Sequence, residues 1–230
     1  MNVILILDLD NTILSDKEHP NLLVKRLSLL RTYGKLILAT GRNFQNFITN
    51  FNWNDISNLI DVGIFSNGGE VVTKYNFERT YFNKLAVHLL IEVLAERKYI
   101  TVVQKDFKKQ YSFDYFLENN IESSNITRFK ILDKKFYEDY ELQTLISSLE
   151  IQACYSPDGI ISLFPAGVNK GLKVKNFIKD TKNTKILAFG DGNNDLSMKV
   201  ITNANYVRTK DRGNDTFNFL LNQIRRLVNE

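Results

Sequence analysis

Cysteine is nearly absent from this chain: its 230 residues hold one, Cys154. A single thiol excludes an intramolecular disulfide and a multi-cysteine zinc cluster. It stands in the apolar run Ile151-Gln152-Ala153-Cys154-Tyr155, where a packed thiol is expected rather than a nucleophile. Histidine is almost as scarce. His19 and His88 fall in an expected loop and an expected helix, where structural or solvent-facing roles account for them. Long apolar runs are missing as well. The first, Val3-Ile4-Leu5-Ile6-Leu7, is far short of the ~20 residues a membrane span needs. It lacks a basic flank and ends in acids, so no signal peptide is expected and the reading places the protein in the cytoplasm. A large charge excess is also absent. Thirty basic against 26 acidic residues leave a formal +4, too small and scattered for nucleic acid but suited to a small anionic substrate. There is no internal repeat and no low-complexity linker. At 43% hydrophobic and 24% charged, the chain can bury a real core as one large domain or two small ones.

What is present begins with that first run. Five consecutive apolar residues fit a strand buried on both faces, and the run stops on Asp8-Leu9-Asp10-Asn11-Thr12. Two acids at the carboxyl end of a buried parallel strand stand where open α/β sheets bind ligands. The same residues also read as an acidic surface turn, with Asp10-Asn11 as turn formers.

A strand–helix alternation follows. Residues 21–33 carry Leu22, Leu23, Leu27, Leu29 and Leu30 at helical spacing and are closed by Gly34 as a stop. Leu36-Ile37-Leu38-Ala39 is the second strand and ends in Thr40-Gly41-Arg42; a helix is expected over 43–51. The run 60–65 is the third strand and ends in Ser66-Asn67-Gly68-Gly69. The rhythm then changes to a hairpin at 71–82, a helix at 84–98, strands at 100–104, 110–115 and 126–132, and a helix at 136–149. A second hairpin, 151–155 with 160–164, turns on Ser156-Pro157-Asp158-Gly159. Alternation resumes with a helix at 168–179 and the strand Ile186-Leu187-Ala188-Phe189, which ends in Gly190-Asp191-Gly192-Asn193-Asn194-Asp195. A short strand at Tyr206-Val207 and a helix at 216–227 follow. The expected fold is α/β, a doubly wound, mostly parallel sheet, with a small α+β domain inserted. The core is 1–74 with 166–230, and the insert is 75–165.

Each strand of the expected parallel sheet ends in a polar cluster, and in a doubly wound sheet those ends meet along one edge. Several carboxylates gathered there repel one another unless a cation sits among them. Oxygen ligands without histidine or thiolate favour Mg²⁺ over zinc. Carboxylates with Mg²⁺, a hydroxyl and backbone amides at a helix start make a phosphate site. Lys170, in Gly167-Val168-Asn169-Lys170-Gly171, stands at such a helix start, although alone it would also read as a solvated helix lysine.

These residues, in this order, resemble the haloacid dehalogenase (HAD) superfamily of aspartate-nucleophile phosphatases over nearly the whole chain. Asp8-Leu9-Asp10-Asn11-Thr12 resembles its first motif and Thr40-Gly41-Arg42 its second. Asn169-Lys170-Gly171 resembles the third, and Gly190-Asp191-Gly192-Asn193-Asn194-Asp195 the fourth. Ser66-Asn67-Gly68 and Pro165-Ala166-Gly167-Val168-Asn169-Lys170-Gly171 are similar to the Cof-type, sucrose-phosphatase-like branch, whose cap lies between the second and third motifs.

The resemblance implies a Mg²⁺-dependent phosphatase acting on a small phosphorylated metabolite, a sugar phosphate or a phosphoglycolate-like acid. Asp8 would be the nucleophile and Asp10 the acid and then the base. Lys170 would pair with Asp8 and the phosphate. Thr40, Gly41, Arg42, Asn67, Lys170 and Asn194 would hold substrate or phosphate. Asp8, Asp10 (through its backbone carbonyl), Asp191 and Asp195 would hold Mg²⁺. Asp10 argues for phosphoryl transfer, because a dehalogenase has no leaving oxyanion to protonate. One departure is Asn11, where the family usually has glycine; asparagine is the side chain that best tolerates left-handed backbone. A phosphomutase of the phosphomannomutase type and a catalytically silent metabolite-binding protein are the alternatives. Lys108, Lys109, Tyr111, Arg128, Lys130 and Tyr155 of the cap are candidates to reach a sugar or carboxylate, or equally form a solvated sheet face.

Overall fold

The computed structural model describes residues 2–15, 19, 21–156, 159–178, 183–202, 204–209 and 215–229. In chain order the first elements are β1 (Asn2–Leu7), α1 (Asn21–Arg31), β2 (Lys35–Ala39), α2 (Phe44–Asn50), α3 (Trp53–Ser57) and β3 (Val62–Phe65). After a 3-10 turn at Ser66–Gly68 come β4 (Glu70–Thr73) and β5 (Phe77–Arg79). The middle of the chain forms α4 (Lys84–Arg97), β6 (Thr101–Lys105), β7 (Lys109–Ser112), α5 (Phe113–Glu118) and β8 (Ile126–Ile131). It continues with a 3-10 turn at Lys134–Glu138, α6 (Tyr140–Ser148), β9 (Gln152–Tyr155) and β10 (Ile161–Phe164). The last stretch is α7 (Lys170–Lys175), β11 (Thr184–Gly190), a 3-10 turn at Asn193–Asp195, α8 (Leu196–Thr202), β12 (Asn205–Arg208) and α9 (Thr216–Asn229).

These elements make two compact units, 1–78 with 169–230, and 79–168. The first holds a sheet in the order β12-β11-β1-β2-β3-β4-β5. Pairing is parallel from β12 to β3 and turns antiparallel at β3–β4. The strand period of two gives the sheet its two cores. Leu5, Leu7, Leu36 and Leu38 face the side covered by Leu23, Leu27 and Leu30 of α1, Phe47 of α2 and Leu220 and Ile224 of α9. Ile4, Ile6, Ile37, Val62 and Ile64 face the other side, with Val174 of α7 and Met198 of α8. Because β1 carries apolar residues on both faces, it is the buried centre of the sheet; each such side chain fully buried stabilises by roughly 1.5–3 kcal/mol. The chain runs from β1 to β2 and β3 on one side and returns to β11 and β12 on the other. The carboxyl end of β1 is therefore the point where strand order reverses.

Gly34 is needed for closeness rather than as a helix stop: a Cβ there would lie 2.2 Å from the Val3 carbonyl oxygen.

The inserted unit is an antiparallel sheet, β7-β6-β8-β10-β9. Val103, Phe129, Ile131, Ile161 and Leu163 point to one face and meet Leu90 and Leu94 of α4, Phe116 of α5 and Leu142 and Ile146 of α6. Cys154 is half-buried and, by strand alternation, lies on the opposite face, while its neighbour Ala153 takes the core side; the expected packed thiol is thus not a core residue.

Several expected elements are divided by side-chain caps. The single helix expected over 136–149 is broken because Asp139 stays out of helical backbone to accept from the Leu142 amide at 3.0 Å. The strand expected over 110–115 stops at Ser112, whose hydroxyl accepts from Tyr115 and starts α5. Asn43 caps α2 and Asn52 caps α3. Asn169 shifts the start of α7 to Lys170. Pro157 and Asp158 of the expected turn, and Lys179 at the expected helix end, lie outside the described residues.

Candidate active site

Asp8 extends the β1 ladder by one bond, its amide donating to the Phe189 carbonyl at 3.0 Å. The chain then wraps tightly, the amides of Thr12, Ile13 and Leu14 all donating to the Leu9 carbonyl. The wrap requires left-handed backbone at Asn11, which has φ 55°. Asparagine supplies it without glycine, and its side chain hydrogen-bonds the Asp191 carboxylate.

Lys170 reaches the same point from the start of α7. Asn169 accepts from the Gly171 and Leu172 amides at 2.9 and 3.3 Å, which fixes the first turn. The Lys170 side chain is 1% exposed, and Nζ donates to Asp8 Oδ1 and to Asp195 Oδ1, each at 2.6 Å. Asp195 uses its other oxygen to accept from the Gly192 amide at 2.8 Å. Gly190 leaves room for this: a Cβ there would come within 2.5 Å of the Asp195 side chain.

Asp8, Asp191 and Asp195 form a cluster in which one carboxylate oxygen of each lies within 4.8 Å of the others. Burial pushes Asp8 up to about 7, against the pull of the Lys170 ammonium, and the charges of Asp195 and Asp191 push the same way. Asp191 is raised by burial and by Asp195. Burial acts to lower Lys170, but Asp8 and Asp195 outweigh it and hold the ammonium above its ordinary value. One ammonium among three carboxylates leaves uncompensated negative charge in a buried, all-oxygen site. That donor set fits a hard divalent cation such as Mg²⁺.

The other expected residues form two further groups. Thr40 is fully buried; its amide donates to Ile64, its carbonyl accepts from Asn67, and its hydroxyl accepts from the Arg42 amide at 3.1 Å. Gly41 lies beside Asn67, and Asn67 Oδ1 accepts from Asn194 Nδ2 at 3.0 Å, so the loops after β2, β3 and β11 meet. Asp10 stands apart from the carboxylate cluster. Arg42, expected on phosphate, forks onto it instead, with Nε to both oxygens at 3.1 and 2.9 Å and Nη2 at 2.5 Å.

Sequence reasoning passed over several supports. Buried Glu70 accepts from the Ser66 hydroxyl and the Phe44 amide, each at 2.9 Å, and braces the turn that carries Asn67. Buried Thr12 stands 3.5 Å from Asp8 Oδ2 and 2.9 Å from the Thr209 hydroxyl. Thr12 was legible as the end of the first motif; Thr209, distant in the chain and in no pattern, was not. His19 accepts from the Asn21 amide, and His88 is exposed beside Glu92.

The sheet order, Asp8 at the strand-order reversal and the buried lysine define a doubly wound α/β core with an inserted unit, and sequence comparison gives its family. The model of the haloacid dehalogenase-like hydrolases matches residues 5–149 and 98–204. The chain belongs to the haloacid dehalogenase-like hydrolase family. Among solved structures it is similar to the HAD subclass IIB sugar phosphatase BT4131, at 18% identity, TM-score 0.66, covering 94% of this chain and 90% of that one. It is also similar to the HAD-superfamily phosphatase BT1666 from Bacteroides thetaiotaomicron, at 18% identity, TM-score 0.69, covering 98% and 95%. A third is SMU.1108c from Streptococcus mutans UA159, at 17% identity, TM-score 0.70, covering 100% and 99%. No curated protein matches the chain. No helix among the described residues is long and apolar enough to cross a membrane.

Proposed function

We propose that this chain is a Mg²⁺-dependent phosphatase that hydrolyses a small phosphorylated metabolite through a phosphorylated Asp8. The observation that carries the reading is the buried Lys170 ammonium held 2.6 Å from both Asp8 and Asp195 at the carboxyl end of the central strand. Lys170 pulls Asp8 toward its ionised form against burial and holds it turned into the site. Asp8 Oδ attacks phosphorus, the bond to the leaving oxygen breaks, and an aspartyl-phosphate forms, replacing one hard displacement by two easier ones. Asp10 gives its proton to the leaving oxygen. It then takes a proton from the water that attacks phosphorus and frees Asp8. For this, one Asp10 oxygen leaves the Arg42 fork, so Arg42 positions the acid rather than the phosphate. The Thr40 hydroxyl, already accepting from Arg42, has its own proton to donate to a phosphate oxygen.

The Asp8 and Asp191 carboxylates, with the Asp10 carbonyl, would hold the Mg²⁺. Asp195, whose two oxygens serve Lys170 and Gly192, would join through water. When bound, the ion supplies positive charge to the non-bridging phosphate oxygens and screens their repulsion of Asp8.

The test is phosphate release by purified protein from a panel of phosphate monoesters, with Mg²⁺ and with EDTA. The expected result is Mg²⁺-dependent release that Asp8→Asn lowers by at least about 10³-fold. Full activity in Asp8→Asn, or release unaffected by EDTA, contradicts the reading.

A further inference from the structure

The sheet of the inserted unit has one face against that unit's helices and one without them. Phe129 and Ile131 of β8 point into the helical side, so the strand period sends Arg128 and Lys130 to the other face, their Cα atoms ~7 Å apart. The register sets Gln104 opposite Arg128, and Val102 and Ser162 on either side of Lys130. Cys154 lies one strand further, opposite Ser162. The five strands carry Lys105, Lys109, Arg128 and Lys130 and no aspartate or glutamate.

Lys105 is occupied by the Glu122 carbonyl and carboxylate and by Ser124. Among the described residues Arg128 has no such partner: it is half-buried, and its Nε is buried without an acceptor. Burial lowers the guanidinium from its ordinary value, and the charge opposing burial is that of the Cys154 thiolate, not of a carboxylate. A buried charged donor left unmet is costly, and an acceptor with negative charge removes the cost.

We propose that Arg128 and Lys130 form an anion site on this face of the inserted sheet, taking a carboxylate or phosphate group of a small acidic ligand, with the Ser162 hydroxyl as an added donor. The site lies wholly in the inserted unit and goes beyond the reading of the Asp8 cluster, on which it does not depend.

Cys154 is the chain's only thiol and lies across Ser162 from Lys130, so its alkylation in the full chain reports on this face. Anionic iodoacetate, relative to neutral iodoacetamide, is expected to react roughly threefold or more faster with Cys154 than with free glutathione. Millimolar inorganic phosphate or malonate is expected to slow the reaction by a similar factor. Protection by phosphate alone assigns a phosphate group to the site, protection by malonate alone a carboxylate, and protection by both the shared chemistry. In the double variant Arg128→Gln with Lys130→Gln, preference and protection are both lost, while Arg128→Lys keeps part of each. A thermal melt of the same samples identifies a double variant that has not folded, in which case Lys130→Gln alone makes the comparison. No preference and no protection in the wild-type chain, or equal protection in a folded variant, overturns the proposal. None of these readings requires phosphatase activity, so the inference and the proposed function fail separately.

Discussion

At the scale of single residues, Lys170 joins the two carboxylates on which the site depends. Its ammonium is the positive partner of the Asp8 and Asp195 carboxylates, and all three side chains are buried. Lys170→Met leaves two buried carboxylates without it and is expected to cost about 3–5 kcal/mol in the absence of metal. Mg²⁺ offsets the same negative charge, so its addition should raise the melting temperature of Lys170→Met more than that of the wild type; equal shifts would contradict the cluster as a cation site. Gly190 makes a second case. A methyl group at this position meets Asp195 at 2.5 Å, with a backbone strand on one side and the Lys170 ion pair on the other. Gly190→Ala is expected to lower stability by about 1–3 kcal/mol in urea unfolding. An unchanged midpoint would show that Asp195 moves freely, which its two hydrogen bonds argue against.

At the scale of elements, short polar side chains decide where helices start. Asp139 is the most connected of them, accepting from Leu142 N at 3.0 Å, Tyr99 Oη at 2.8 Å and Arg97 Nε at 3.1 Å. Burial acts to raise its carboxyl. The Leu142 amide, the Tyr99 hydroxyl and the Arg97 guanidinium outweigh burial and hold it below the usual carboxylate range. A depressed acid contributes stability that is present above its unfolded value, near 3.9, and is lost as pH falls through the lower folded value. The inserted unit should therefore lose stability below about pH 4. Asp139→Asn keeps the cap but not the charge, so it should flatten that acid limb at a cost of about 1 kcal/mol near neutrality. Unfolding midpoints between pH 3 and 7 check this, and parallel pH profiles for the two chains would contradict it.

The same caps explain what the sequence concealed. β1, β2, β3 and β11 were legible because apolar runs buried on both faces have no other use. The site was legible because Asp8, Thr40, Asn67 and Asp191 all follow such runs. Asp139 and Ser112 were not recognisable as caps, because each is followed by more apolar residues at a spacing that suits either a continued element or a new one. The Arg42 fork on Asp10 was hidden for another reason: an arginine beside a phosphate motif has the same chemistry for a phosphate and for a carboxylate, and only the fold supplies the carboxylate.

At the scale of the molecule each unit has its own hydrophobic interior, the first a core on either face of its sheet and the inserted unit a single one, and the Asp8 cluster belongs to the first unit alone. Phe129→Ala removes a fully buried ring, packed 5.4 Å from that of Phe82, and is expected to cost about 3–5 kcal/mol. In hydrogen exchange, amides of β6, β8 and β10 should lose protection while those of β1 and β11 keep it. Equal loss in both sets would mean that the two units do not open separately.

The central claim is that Asp8 becomes covalently phosphorylated. Rapid quenching of the wild-type chain with a ³²P-labelled ester substrate in Mg²⁺ is expected to trap a hydroxylamine-sensitive label on the peptide that contains Asp8, absent from Asp8→Asn. Turnover with no label on that peptide, or a label that persists in Asp8→Asn, would contradict it.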